Sequence, residues 1–185
     1  RPDTETLIEA VLNGEKDKKT AFFADIGTGS GVLAAILTAN NPEWNAAAAD
    51  VSYNALKTAS RNVSNRVKLI CADMLSAFKP IQKFDFIVSN PPYISSAQMR
   101  TLDKSVYGYE PHGALFGGED GLEFYREISL TAQAHLKDKG RIYLEIGYDQ
   151  GDSVPRILHN DGWENITVTK DIEGRDRVVK AVCGK

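Results

Sequence analysis

The sequence predicts an α/β protein built on a doubly wound, mostly parallel sheet. Three observations predict it. Short apolar runs alternate with helical patterns through the first part of the chain, as strand–helix–strand units require. A glycine-rich turn, "DIGTGSG", joins the first apolar run to a helical pattern. Acidic or amide residues stand at the ends of successive apolar runs, at Asp25, Asp50, Asp73 and Asn90. Ligands bind beyond such strand ends in open α/β sheets, near the point where the strand order reverses.

The elements follow in order. "DTETLIEAVLN" carries Leu7, Ile8, Val11 and Leu12 at helical spacing, with Asp3 as its cap. "TAFFADIG" is a strand running into glycines, and "GVLAAILTAN" a helix packed upon it, with Pro42 beyond its end. "NAAAAD" is a strand by context, because alanine on its own prefers helix. "SYNALKTASRNV" is a helix with Ser52 as N-cap. "RVKLICAD" and "KFDFIVSN" are strands. "GLEFYREISLTAQAHL" is an amphipathic helix, "GRIYLEIG" a strand and "DSVPRILHN" a short helix; "NITVTKD" and "RVVKAVC" form a closing pair of strands. Residues 93–120 are rich in Gly, Pro and polar groups, and a loop that long in a compact domain is usually functional.

Bulk properties narrow the function. The chain has 185 residues, which suits one domain with a substantial core. With 42% apolar and 25% charged residues, its composition is that of an ordinary globular protein. The net charge is −3 and no basic stripe is visible, which counts against a nucleic-acid partner. No apolar run approaches the roughly 18 residues that span a bilayer, and no signal peptide is visible. Cys71 and Cys183 lie in apolar, strand-like runs and are expected to be buried thiols in a reducing compartment. His112, His135 and His159 have no metal-ligand spacing, so no metal is expected. A cytoplasmic monomer is expected. The chain begins at "RPDTE" without an initiator Met, as an excised piece of something longer would.

In "DIGTGSG", Gly27, Gly29 and Gly31 allow a tight turn and a close approach of backbone to ligand. The helix beyond offers N–H groups suited to a carboxylate or phosphate. The spacing is G-x-G-x-G, neither the dinucleotide G-x-G-x-x-G nor a P-loop, which disfavours a dehydrogenase or a plain nucleotide-binding domain. Asp50 is placed to accept from two ribose hydroxyls. Asp73 is placed to accept from an adenine amino group, with Met74 covering the ring. Together these positions describe a nucleoside pocket.

The pattern resembles the Rossmann-like S-adenosylmethionine-dependent methyltransferases along nearly the whole chain. The resemblance implies a seven-stranded sheet with its last strand antiparallel. It implies S-adenosylmethionine as cofactor, S-adenosylhomocysteine as product and no metal. It places the cofactor on Asp25, Gly27, Thr28, Gly29, Ser30, Gly31, Asp50, Asp73, Met74 and Asn90.

"SNPPYI" then supplies the chemistry. An amide or aromatic-amine nitrogen is a poor nucleophile, because its lone pair is delocalised. Two acceptors aimed at its two N–H bonds would position it and encourage it to pyramidalise. Asn90 offers a side-chain carbonyl. Pro91 offers a backbone carbonyl and no N–H, and it holds Asn90 extended. Pro92 holds Pro91 in the same way, and Tyr93 offers a flat ring for stacking. Asn90, Pro91, Pro92 and Tyr93 are therefore the expected catalytic and substrate-binding residues, a rigid acceptor clamp for a planar NH₂ group.

"RPDTE", "DIGTGSG", "SNPPYI", "EPHGALFGGEDGLEFYREI" and "LEIGYDQG", in that order, resemble the protein-(glutamine-N5) methyltransferases of the PrmC/HemK family; "GRDRVV" fits their closing strands. That resemblance implies methylation of the glutamine in the Gly-Gly-Gln motif of peptide chain release factors, with no direct nucleic-acid or membrane partner. The family usually carries a helical N-terminal domain thought to dock the release factor; on this reading residues 1–185 are the catalytic domain alone. Glu110, Pro111, Gly117, Gly118 and Gly121 are expected to shape the substrate entrance. Arg1 and Glu5 either shape the pocket mouth or charge the first helix, and Glu119, Asp120 and Glu123 form a solvated helix start. The competing reading is an adenine-N6 methyltransferase acting on DNA or RNA with the same NPPY chemistry.

Overall fold

The computed structural model describes residues 2–81, 83–101 and 115–184, with the backbone alone for Pro2 and Asp3. Among these residues seven strands form one sheet: β1 (Ala21–Ile26), β2 (Trp44–Asp50), β3 (Val67–Cys71), β4 (Phe84–Ser89), β5 (Leu136–Glu145), β6 (Glu164–Lys170) and β7 (Asp176–Val182). Their spatial order is β3-β2-β1-β4-β5-β7-β6. All pairs from β3 to β5 are parallel, and β7 runs antiparallel to both β5 and β6. The expected sheet, with its last strand reversed, is the one observed.

Helices α1 (Pro2–Gly14), α2 (Val32–Asn40) and α3 (Tyr53–Asn62) pack together on one face. There Leu7, Val11, Leu33 and Leu37 meet Phe23, Trp44, Phe86 and Tyr143 of the sheet. Helices α5 (Glu123–Ala132) and α6 (Ser153–Asn160) cover the other face, where Tyr125, Ile128 and Leu158 meet Ile26, Ile87, Ile142 and Leu144. Among the described residues between β3 and β4 there is no helix, and Leu75 and Phe78 are buried there. The four alanines of β2 are at most 3% exposed, Ala46 and Ala48 toward one face and Ala47 and Ala49 toward the other. A central strand covered on both sides is apolar throughout, and this burial overrides the helix preference of alanine.

Several expectations are corrected. Cys183 is buried, but Cys71 is an exposed thiol. It is the last residue of β3, and β3 is an edge of the sheet. Helix α1 begins at Pro2, so Asp3 lies within its first turn and not before it. Ser52 does cap α3, its Oγ accepting from Ala55 N–H at 3.2 Å. Strand β5 starts four residues earlier than Gly140, and the register irregularity against β4 falls there, with Lys139 at φ 58°. Residues 93–120 contain structure of their own: helix α4 (Ser96–Thr101) and a parallel bridge between Ile94 and Phe116. Glu110, Pro111, Arg1 and the Asp3 side chain lie outside the described residues. Among the described residues, no helix is long and apolar enough to cross a membrane.

Candidate active site

The sheet changes direction between β1 and β4. Strand β1 leads outward to β2 and β3, and the chain then returns to place β4 on the other side of β1. Two adjacent parallel strands therefore send their next connections apart and leave a crevice at their carboxyl ends. The turn after β1 is "GTGSG" and the segment after β4 is "NPPY".

A cleft of about 340 Å³ lies at that point, within the size range of small-ligand sites. Gly27, Thr28, Gly29 and Ser30 line one side, and Asn90, Pro91, Pro92, Tyr93 and Ile94 line the other. Val32 and Leu33 of α2, Thr4 of α1 and Leu115 complete the wall. Glu5, expected either at this mouth or as a charge on the first helix, is exposed and is not on that wall; its neighbour Thr4 is.

The glycines of the turn divide their work. Gly27 and Gly29 have φ values of 67° and 56°, and a Cβ on either would meet nothing within 4 Å. They are required by backbone conformation and face open space where a ligand fits. Gly31 has φ 79°, and a Cβ there would lie 2.8 Å from Val63 Cγ1 and 3.0 Å from Ala59 Cβ. It permits α2 to pack against α3.

Asp25 does not line the cleft; it holds the turn from behind. It is fully buried, and its Oδ2 accepts from Thr28 Oγ1 at 2.6 Å and from Ala34 N–H at 3.2 Å. Ala34 is the third residue of α2, whose N-cap, Gly31, has no side chain to satisfy it. Asp25 thus caps a helix nine residues away, where a carboxylate is favoured. Burial nevertheless pushes its carboxyl up to about 6, against the Thr28 and Ala34 bonds that lower it. Its Oδ1 is buried and accepts no hydrogen bond from the described residues.

Asp50 holds the turn from the other side. Its Oδ2 accepts from Gly29 N–H and its Oδ1 from Ser52 N–H, both at 2.8 Å. Each carboxylate oxygen keeps a second lone pair, so Asp50 retains capacity for two hydroxyl donors. Asp73 is exposed two residues beyond β3. Met74, at φ 47°, is half-buried and packs against the core. Neither is among the residues lining the cleft.

On the opposite wall, Pro91 is buried while Asn90, Pro92 and Tyr93 are half-buried. No described group donates to the Asn90 side-chain carbonyl or to Pro91 O. Two open acceptors on a proline-fixed backbone, with an aromatic ring beside them, suit a planar NH₂ group. Behind them Tyr125 OH donates to Glu145 O at 2.9 Å, and Thr4 Oγ1 to Glu145 Oε2 at 3.5 Å. Among the described residues, no group of three His, Cys, Asp or Glu side chains is placed to hold a metal ion.

Sequence reasoning missed Thr4, Ser89 and Gln150. Ser89 Oγ donates to Ile26 O at 2.7 Å, joining the residues that precede the two cleft segments. Gln150 bonds to Tyr93 O. Both sat inside quoted motifs, but an ordinary Ser or Gln gives no signal until its partner is known.

Comparison with known proteins agrees with this architecture. The profile of the methyltransferase small domain family matches residues 3–106. A release factor glutamine methyltransferase from Streptococcus pneumoniae is 43% identical over 181 residues, 97% of this chain and 64% of that protein. Another, from Lactococcus lactis, is 42% identical over 183 residues, 97% of this chain and 67% of that protein. The chain belongs to the release factor glutamine methyltransferase family. The resemblance read from its motifs is borne out at that level. The chain spans about two thirds of the length of these relatives. In fold it resembles a methyltransferase from Pyrococcus furiosus, with a TM-score of 0.67 at 17% identity, covering 96% of this chain and 83% of that one.

Proposed function

We propose that this protein transfers a methyl group from S-adenosylmethionine to the side-chain amide nitrogen of the glutamine in the Gly-Gly-Gln motif of peptide chain release factors. The observation that carries the reading is that Gly27–Ser30 and Asn90–Tyr93 form opposite walls of one cleft. The names of the relatives supply the acceptor.

S-adenosylmethionine supplies an electrophilic methyl group on a sulfonium. The chain supplies position. The turn Gly27–Gly31, braced by Asp25, would seat the methionine part, and Asp50 would accept from the ribose hydroxyls. Asp73, beyond the end of β3, would be the acceptor available to the adenine amino group, with Met74 beside it. Asn90 Oδ1 and Pro91 O would accept from the two N–H bonds of the acceptor amide, holding it in place and favouring its pyramidal form. Tyr93 stacks on the amide plane. This contribution is proximity and preorganised electrostatics. The methylated, cationic amide is acidic enough to lose its proton to water, so no strong general base is called for. On this reading residues 1–185 act as a single catalytic domain, monomeric and cytoplasmic, with S-adenosylhomocysteine as product and no metal.

The test is transfer of labelled methyl from S-adenosylmethionine to a purified release factor, beside one whose Gly-Gly-Gln glutamine is changed to alanine, with DNA and RNA in parallel. Label on the first protein alone is expected. Label on nucleic acid that falls steeply with salt would move the reading to an adenine methyltransferase.

A further inference from the structure

The backbone that follows Asn90 is pinned from three sides. Ile94 N–H donates to Leu115 O at 3.0 Å and Gly117 N–H donates to Ile94 O at 2.9 Å. A Cβ on Gly117 would stand 2.7 Å from Pro92 O and 2.8 Å from Tyr93 Cα, and one on Gly121 would collide with Tyr93 O. Only bare backbone can lie that close, so the strip from Leu115 to Gly121 rests directly on Pro92 and Tyr93. Gln150 closes the third side from the turn after β5. It is 7% exposed. Its Nε2 donates to Tyr93 O at 3.2 Å and to Gly121 O at 3.0 Å, and its Oε1 accepts from Gly147 N–H at 2.9 Å. Both amide hydrogens are therefore committed. In the same turn Asp149 Oδ2 accepts from Gln98 Nε2 of α4 at 3.0 Å.

We propose that Gln150 is a positioning residue for methyl transfer, holding the acceptor clamp in its productive shape through Tyr93 O and Gly121 O. The inference rests on the function proposed above. The rings of Pro91 and Pro92 fix two φ angles, and Gln150 fixes the peptide plane that follows. Asn90 Oδ1 and Pro91 O then keep their directions as the planar acceptor enters, which is where a small displacement costs most. Gln150 touches no reacting atom. None of its bonds reaches Gly27–Gly31, so the seat of the methyl donor is independent of it.

The test uses the full chain with Gln150→Ala, Gln150→Glu and a control, Gln133→Ala. Gln133 also donates from a side-chain amide to a backbone carbonyl, Asp161 O at 2.7 Å, but it lies just before β5, at the opposite end of that strand from the cleft. For Gln150→Ala, kcat on a release factor falls on the order of 10- to 100-fold while the Kd for S-adenosylmethionine changes less than about 3-fold. Amide hydrogen exchange quickens at Ile94 and Gly117. In Gln150→Glu an ionised carboxylate faces two carbonyl oxygens, whereas the protonated acid donates to one. Its kcat relative to the parent therefore rises as pH is lowered from about 8 to about 6, and the alanine variant shows no such rise. Gln133→Ala loses stability with kcat unchanged. An unchanged kcat in Gln150→Ala overturns the proposal. So do losses of kcat, cofactor affinity and stability that run in parallel in both alanine variants. If the parent labels no release factor, the functional reading fails separately, and exchange decides the brace: unaltered Ile94 and Gly117 amides in Gln150→Ala overturn it, and faster exchange confined to them supports it.

Discussion

Ser89 and Ile26 are register partners on adjacent parallel strands, and Ser89 Oγ donates to Ile26 O at 2.7 Å in the buried sheet. The residue after one is Gly27, the first of the glycine-rich turn. The residue after the other is Asn90, the first of the NPPY segment. The two walls of the cleft therefore spring from one hydrogen-bonded pair, and the distance between them is set at their roots.

Ser89→Ala removes that tie. Leaving Ile26 O short of a partner costs about 1–2 kcal/mol of stability, read by denaturant unfolding. Methyl transfer falls on the order of 10-fold, because the clamp shifts against the donor. Affinity for S-adenosylmethionine, measured by calorimetry, changes far less.

Gly29→Ala and Gly31→Ala separate ligand contact from packing. At Gly31 a methyl group strikes Val63 and Ala59 and adds about 1–3 kcal/mol of overpacking to the cost of a left-handed backbone. At Gly29 only the backbone cost arises, about 1–2 kcal/mol. Thermal unfolding thus ranks Gly31→Ala as the less stable variant. Cofactor titration ranks Gly29→Ala as the weaker binder among the folded protein, since its new methyl stands on the cleft wall.

Asp25 gives a pH signature. Its carboxyl titrates at about 6 in the folded chain against 3.8 as the ordinary value. A raised value favours the folded state when the group is protonated. That contribution is complete below the ordinary value and is lost as pH rises through about 6. Asp25→Asn has no such dependence. The stability of the parent relative to this variant therefore increases as pH falls from about 7 to about 4, by up to about 3 kcal/mol at roughly 1.4 kcal/mol per pKa unit. Paired urea titrations across that range check it, and a flat difference contradicts it.

Much of this architecture was legible in the sequence, because it rests on patterns that local chemistry enforces. Glycines after "FFADI" and prolines after "FDFIVS" mark where strands must stop, and strand ends are where such sheets bind ligands. Even the alanine strand could be placed, since its neighbours demanded a strand between two helices. What escaped depends on contacts between distant residues. Cys71 reads as buried in "VKLICAD" until β3 proves to be the edge of the sheet. Asp25 reads as a ligand-facing acid until Ala34 is seen to claim it as a cap. Gln150 and Ser89 gain their roles only from Tyr93 and Ile26, 57 and 63 residues away.

The most direct measurement compares the parent chain with Asn90→Ala, following S-adenosylmethionine binding by calorimetry and methylation of a release factor by mass spectrometry of its Gly-Gly-Gln peptide. The account predicts one methyl on that glutamine with the parent. With Asn90→Ala it predicts a loss on the order of 10²- to 10³-fold in rate, the scale for removing one preorganised transition-state contact, with cofactor binding largely intact. Full transfer by Asn90→Ala, or a methyl found on any other residue, would contradict it.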